Sequence, residues 1–89
     1  MIQAQLTIIN KLGLHARAAA KFVACTTSFS SRIQTGKAGQ LVDGKSIMAV
    51  MMLAAGKGTV LDFEIEGSDE QEALDALQSL FENRFDEPE

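Results

Sequence analysis

The chain has 89 residues, the length of one small domain, and 46% of them are hydrophobic, which is typical of a globular protein rather than a disordered one. Its formal charge of −4 disfavours nucleic acid and anionic membranes as partners. The single cysteine excludes an internal disulfide, and no stretch approaches the roughly 20 apolar residues of a membrane span. We therefore expect one domain over residues 1–89, located in the cytoplasm, with no nucleic-acid binding and no membrane insertion.

The N-terminal part of the chain predicts a strand followed by a helix. Apolar and polar side chains alternate from residue 2 to residue 10, which predicts a half-buried strand. Gly13 marks a turn, because glycine accepts a positive φ. The alanine-rich stretch that follows predicts a helix beginning at about Ala16.

The middle of the chain predicts two short strands and a short helix. Residues 31–43 indicate two strands joined by a loop that contains Gly36 and Gly39. In the helix that follows, Ser46 is the expected N-cap and Gly56 the expected C-terminal stop.

The last third predicts a strand over residues 59–67 and an amphipathic helix after it. Ser68 and Gln71 have the spacing of a capping box at the start of this helix. The complete order is β-α-β-β-α-β-α, and every strand alternates in hydrophobicity. This order favours a mainly antiparallel sheet with helices on one face, an α+β open-faced sandwich.

His15, the only histidine, lies at the predicted start of the first helix. The amides of Ala16 and Arg17 would lack acceptors within the helix, and together with the positive end of the helix dipole they form a potential anion site. Arg17 adds a cation that can hold a phosphate oxygen. The junction therefore places a nucleophilic ring nitrogen beside a place for a phosphoryl group. On these residues alone, an incidental surface histidine remains an alternative.

The second helix is rich in methionine. Val50 and Leu53 can face the core while Ile47, Met48 and Met51 lie on another side, where flexible thioethers suit a surface that meets several partners. The alternative is that all of these side chains pack in the core.

The stretches "GLHARAAAKFV" and "GKSIMAVMMLAAGKG" resemble the histidine phosphocarrier family, HPr, of the bacterial phosphotransferase system. The resemblance covers the whole chain and implies a four-stranded antiparallel sheet under three helices. It also implies a relay protein rather than an enzyme. In this relay, Nδ1 of the histidine that matches His15 accepts a phosphoryl group from phospho-enzyme I and passes it to IIA domains, and the residue that matches Arg17 holds the phosphate.

The same resemblance assigns further roles. Ser46 matches a serine that HPr kinase/phosphorylase modifies, although a serine at this position can also be a helix cap only. Leu14 joins Ile47, Met48 and Met51 in the implied docking surface. Lys21 is the remaining lysine on the side of the first helix that would face enzyme I, and Lys45 lies beside Ser46, where it could pair with a phosphate.

The chain departs from the family pattern at three positions. Ala18 stands where many members have proline, and Ala24 and Thr27 occupy sites of frequent lysines. These departures leave a nitrogen-related paralogue open, as well as a non-transport regulatory module that binds a kinase or a transcription regulator. We expect no cofactor and no metal site, and we expect a monomer.

Overall fold

The computed structural model describes all 89 residues, Met1–Glu89, as four strands, three α-helices and a short left-handed turn. In chain order they are β1 (Ile2–Thr7), α1 (Ala16–Thr27), β2 (Arg32–Lys37), β3 (Gln40–Asp43), α2 (Ile47–Met52), β4 (Val60–Glu66), α3 (Glu70–Glu82) and the turn Arg84–Asp86. The predicted order of elements is confirmed. None of the helices is long and apolar enough to cross a membrane.

The four strands form one antiparallel sheet in the order β1-β4-β2-β3. The last strand of the chain, β4, therefore lies inside the sheet, between the first two. Side chains of β4 alternate between the two faces of the sheet: Leu61, Phe63 and Ile65 are buried, while Asp62 and Glu64 point to the opposite face. This confirms the predicted alternation in β4.

The core lies between the sheet and the helices, and a cluster of phenylalanines fills much of it. Phe22 of α1 stacks on Phe63 of β4, with ring centroids 6.0 Å apart. Phe81 of α3 meets both rings edge-on and packs against Phe85, at a centroid distance of 4.9 Å. These contacts fix α1 and α3 on the sheet, because each buried aromatic ring removes a large apolar area from water.

The second face of the sheet is polar, as the alternation predicts. Gln5 on β1 donates from Nε2 to Oδ1 of Asp62 on β4 at 2.8 Å, and Gln3 faces Glu64 in the same way at 3.5 Å. These cross-strand pairs satisfy side chains on the solvent-facing side of the pleat.

The prediction that Gly36 lies in the loop between β2 and β3 is wrong. Gly36 lies within β2 and pairs with Leu41 of β3, so that the connecting residues are Ala38 and Gly39. A Cβ atom on Gly36 would overlap the carbonyl oxygen of Gln40. The glycine is therefore required by the close approach of two backbones and not by a turn.

The predicted end of α2 at Gly56 is also wrong. The helix ends at Met52, with Leu53 as its C-cap, and Ala54 adopts a positive φ of 50°. An alanine thus takes the left-handed conformation that a glycine was expected to supply.

The predicted capping box at the start of α3 is not formed. The N-cap is Asp69, one residue after Ser68, and its carboxylate accepts hydrogen bonds from Ser30 and Ser31 instead of from its own helix. Glu70 accepts from the backbone N–H of Gly67 at 3.1 Å. The Asp69 carboxylate therefore joins the loop before β2 to the start of α3 and does not cap its own helix.

Candidate functional site

His15 is the N-cap of α1. Its backbone is extended, with φ −73° and ψ 177°, and its carbonyl accepts the first helical hydrogen bond, from Ala19 at 2.8 Å. The imidazole does not cap the helix, and the side chain is 30% exposed. The predicted start of the helix at Ala16 is confirmed, and the ring is accessible at its N-terminal end.

The first amides of α1 are unpaired. The N–H groups of Ala16, Arg17 and Ala18 make no hydrogen bond within the protein. Because they lie at the positive end of the helix dipole, they can receive an anion such as a phosphoryl oxygen.

Arg17 lies in the first turn of α1, beside His15. Its side chain is exposed, makes no ion pair, and lines one groove together with His15. A guanidinium in this state is free to hold an incoming anion through paired N–H donors.

Glu87 also lies at this site, although no pattern in the sequence indicated it. Its Oε2 contacts Nε2 of His15, and its Oε1 accepts from Nδ2 of buried Asn10 at 3.0 Å. Burial raises the pKa of the Glu87 carboxyl, but the hydrogen bonds from Asn10 and His15 and the charges of His15 and Arg17 outweigh it, so the pKa lies below its usual value. Glu87 is therefore an ionised neighbour of the imidazole.

The C-terminal segment that carries Glu87 is held at several points. Asp86 accepts from Asn83 at 2.6 Å and from Lys21 at 3.2 Å, and these two side chains lower the pKa of its carboxyl. The backbone N–H of Lys11 donates to the carbonyl of Glu89 at 2.7 Å. Lys21, expected to meet a partner, is thus paired with Asp86 here.

Ser46 caps α2 as predicted. Its Oγ accepts the backbone N–H of Ala49 at 3.2 Å. Lys45 does not turn toward this hydroxyl: its Nζ donates to the carbonyl of Phe29 at 2.7 Å. The lysine next to Ser46 is therefore engaged in a contact with the end of α1.

Comparison with known proteins identifies the family. The model of the PTS HPr component phosphorylation site, where PTS is the phosphotransferase system, matches residues 2–83. The chain belongs to the HPr family. As a member, it is a phosphocarrier of the phosphotransferase system and not a catalyst.

Relatives and solved structures agree with this membership. The phosphocarrier protein HPr of Pseudomonas aeruginosa is 60% identical over 86 residues, which is 96% of each chain. The crystal structure of HPr-C-His from Thermoanaerobacter tengcongensis matches with a TM-score of 0.95 and 44% identity over 100% of both chains. This agreement confirms the predicted fold.

An HPr dimer from the same organism, T. tengcongensis, also matches, with a TM-score of 0.77 and 45% identity over 98% of this chain and 100% of that one. Dimers therefore occur among the structural neighbours of this HPr-family chain, and the expected monomer stays a prediction.

The exposed side of α2 is apolar in this HPr-family member. Ile47, Met48 and Met51 are exposed, with Met48 at 68%, whereas Val50 is buried in the core. Met52 is 79% exposed, although the helical pattern did not single it out. We call these four exposed residues the methionine surface. The alternative that the whole helix packs in the core is wrong.

Leu14 does not belong to that exposed surface, and this expectation is corrected. Its side chain is only 5% exposed and lies in the hydrophobic core, while its backbone N–H donates to the carbonyl of Ala55. The exposed leucine of this loop is Leu12, which lines the groove at His15. Only the resemblance implied a docking role for Leu14, and no pattern in the residues indicated that its side chain is exposed.

Proposed function

We propose that the protein carries a phosphoryl group on Nδ1 of His15, takes it from phospho-enzyme I and passes it to IIA domains. The supporting observation is the position of His15 at the N-cap of α1, next to unpaired amides of Ala16 and Arg17. Nε2 faces Glu87, whereas Nδ1 makes no hydrogen bond within the protein. Nδ1 is therefore the ring nitrogen whose lone pair is free to attack phosphorus.

Arg17 and the helix amides hold the phosphoryl oxygens in this proposal. The negative charge of the phosphoryl group is spread over its oxygens, which meet fixed N–H donors and a guanidinium, so little reorganisation is needed during transfer. Both groups are present in the protein before any phosphate arrives.

The methionine surface docks the two kinds of partner. Enzyme I and IIA domains must each bring a phosphoryl donor or acceptor group up to His15, so we expect them to share one recognition surface. Four exposed apolar side chains, three of them methionines, can repack against different partners. Lys21 and Lys45 border the docking region, and each can exchange its present internal partner for an acidic group of a bound protein.

Ser46 is the proposed regulatory site, modified by HPr kinase/phosphorylase. Its hydroxyl lies at the N-terminus of α2, directly before Ile47 and Met48, so a phosphate there adds about two negative charges beside the methionine surface. A charge at this place interferes with docking rather than with folding.

Incubation with phosphoenolpyruvate and a cognate enzyme I tests the relay. One phosphate should be added, labile in acid and stable in base, as a phosphorus–nitrogen bond requires. His15→Ala should abolish labelling, because His15 is the only histidine. Ser46→Ala is the matched control and should retain it. Labelling that persists in His15→Ala would overturn the proposal.

A second candidate is a regulatory member that acts by binding a kinase or a transcription regulator. The methionine surface supports it, because this surface is complete without His15. Retained control of a partner by His15→Ala would favour this candidate, or the nitrogen-related paralogue, over the sugar-transport relay.

A further inference from the structure

The contact between Glu87 and His15 restricts where the imidazole keeps its proton. An ionised carboxylate can only accept hydrogen bonds, and Oε2 of Glu87 lies against Nε2 of His15. Nε2 must therefore be the N–H nitrogen. In the neutral ring this leaves Nδ1 unprotonated, with its lone pair available.

One further residue, Asn10, fixes the position of Glu87. Asn10 is fully buried, donates from Nδ2 to Oε1 of Glu87 at 3.0 Å, and donates to the carbonyl of Gly13 at 2.9 Å. The same amide thus connects the carboxylate to the loop that precedes His15. Each oxygen of Glu87 has one donor, so the carboxylate cannot rotate without losing a hydrogen bond.

The backbone before Glu87 adopts an unfavourable conformation. Arg84, Phe85 and Asp86 have φ values of 55°, 53° and 63°, in the left-handed region that side chains other than glycine rarely occupy. Phe85 is fully buried against Phe81 and anchors this turn. Strained backbone of this kind persists only where the surrounding structure imposes it, and it is often found at functional sites. Here the turn directs the next residue, Glu87, toward the imidazole.

We propose that Glu87 is a positioning residue for phosphoryl transfer at His15: its carboxylate holds the proton on Nε2, so that Nδ1 is the nitrogen that takes and releases the phosphoryl group. This inference rests on the proposed function above.

During both transfers the proton of the imidazole stays on Nε2 of His15. The lone pair of Nδ1 forms a bond to phosphorus as the bond between phosphorus and the donor atom of phospho-enzyme I breaks, and the electron pair of that bond stays on the donor. The ring of His15 gains one positive charge, which the carboxylate of Glu87 stabilises through the Nε2–H. In the second transfer the Nδ1–phosphorus bond breaks, its electrons return to Nδ1, and the neutral Nε2–H ring is restored.

Glu89 offers a matched control on the same segment. Its carboxylate lines the same groove but lies 3.5 Å from Nζ of Lys11 and makes no contact with His15. Glu89→Gln therefore removes one negative charge near the site and leaves the carboxylate of Glu87 in place. Glu87→Gln keeps the shape of Glu87 but provides one acceptor oxygen for two donors, and Glu87→Ala removes both acceptors.

Two measurements on these variants test the proposal. NMR of the ring of His15, without any phosphate, should show a protected downfield Nε2–H proton in the wild type and in Glu89→Gln. This proton should be lost in Glu87→Ala and should exchange faster in Glu87→Gln, whose single acceptor oxygen serves two donors. With phospho-enzyme I as donor, both Glu87 variants should lower kcat by at least about tenfold with KM unchanged, because the interaction acts in the transition state. Glu89→Gln should remain within about twofold of the wild type.

An unchanged ring proton in Glu87→Ala would overturn the proposal, and so would an unchanged kcat. An equal loss of activity in Glu89→Gln would also overturn it, since a general charge effect would then suffice. If enzyme I fails to phosphorylate the wild type at His15, the proposed relay function fails, while the ring-proton measurement still decides whether Glu87 holds Nε2.

Discussion

The backbone N–H of Leu14 donates to the carbonyl oxygen of Ala55 at 2.9 Å, which joins the loop before α1 to the segment after α2. This hydrogen bond requires Gly13 at a φ of +69°, and a Cβ atom there would lie 2.5 Å from the same carbonyl oxygen. The loop that presents His15 is therefore built against the end of the methionine helix, and a glycine permits the approach.

Gly13→Ala should lower the free energy of unfolding by about 1–3 kcal/mol, because the new methyl group meets a backbone oxygen and a strained φ at once. It should also slow phosphorylation of His15, two residues further on. Chemical denaturation and the rate of labelling are the measurements. Gly56→Ala is the control, since a Cβ atom at Gly56 meets nothing within 4 Å. Equal stability of the two variants would contradict the explanation.

Asp69→Asn should make stability depend differently on pH. Hydrogen bonds from the Ser31 side chain and the Ser30 backbone, followed by weaker ones, lower the pKa of the Asp69 carboxyl from 3.8 to about 2. The ionised form is favoured in the folded state, so its stabilisation is complete above pH 3.8 and is lost as the pH falls toward 2. The melting temperature of the variant should lie below that of the wild type at neutral pH, and the two should converge over this acidic window.

Asp75→Asn provides the control for this titration. Asp75 is an exposed residue of α3 that accepts from Gln71 at 2.9 Å and does not join the Ser30–Ser31 loop to the helix. If the difference in melting temperature between the wild type and Asp69→Asn stays constant down to pH 2, the charge of the carboxylate is not the stabilising feature.

Arg17→Ala should slow phosphoryl transfer to His15 by at least tenfold, about 1.4 kcal/mol of barrier, because in the proposed function the guanidinium holds the phosphoryl oxygens during transfer. Arg17→Lys should restore only part of the rate, since lysine lacks the planar pair of donors. Rapid-mixing kinetics with phospho-enzyme I measure both. Arg32→Ala, at an exposed position on β2, should leave the rate unchanged. A wild-type rate in Arg17→Ala would mean that the helix amides suffice.

Phosphorylation of Ser46 should strongly reduce the rate at which enzyme I phosphorylates His15. The phosphate would lie beside the methionine surface, where its desolvation on docking is unfavourable. The melting temperature should stay unchanged or rise, because the negative charge meets the positive end of α2. Ser46→Asp should have a smaller effect on the rate, since it supplies less charge.

Ser46→Ala separates the cap from the regulatory role. It should lose about 1 kcal/mol of stability with the hydrogen bond to Ala49, and leave the transfer rate close to that of the wild type. If phosphorylated Ser46 leaves the rate unchanged, Ser46 is a helix cap only.

Met48→Asp should raise the KM for enzyme I by at least about tenfold without changing the melting temperature, because Met48 is exposed and its burial is expected only in the complex. Val60→Asp is the matched control, since Val60 is another exposed apolar residue but lies on β4. Similar KM values in the two variants would place the docking surface elsewhere.

The sheet and the site differ in how far the sequence predicts them. The alternation through Leu61, Phe63 and Ile65 predicted β4 because burial on one face of a strand is a local pattern. The sequence also predicted His15 and Arg17 at the start of α1, because an N-cap and its first turn are local patterns. Glu87 was not predicted, because it is 72 positions away from His15 in the sequence. It also follows a turn with left-handed φ values, and none of the residue types in that turn indicates this conformation.

The errors at α2 and α3 have the same origin. Gly56 is a residue type that commonly ends a helix, and the Ser68–Gln71 spacing is typical of a helix start. Tertiary contacts override both: Ala54 ends the helix earlier, and the serines of the loop before β2 take the carboxylate of Asp69. An N-cap side chain that accepts hydrogen bonds from a distant loop cannot be recognised from residue spacing within its own helix.

The position of β4 between β1 and β2 has a consequence for how the chain folds. Ile2 pairs with Ile65, so the first strand can join the sheet only after almost the whole chain has been made, whereas β2 and β3 can form a hairpin at once. Closing so long a loop before its contacts form costs entropy and slows folding. During synthesis, β1 therefore remains unpaired until the ribosome has completed β4. The site at His15 also includes Glu87, near the C-terminus, so it is among the last parts of the protein to form.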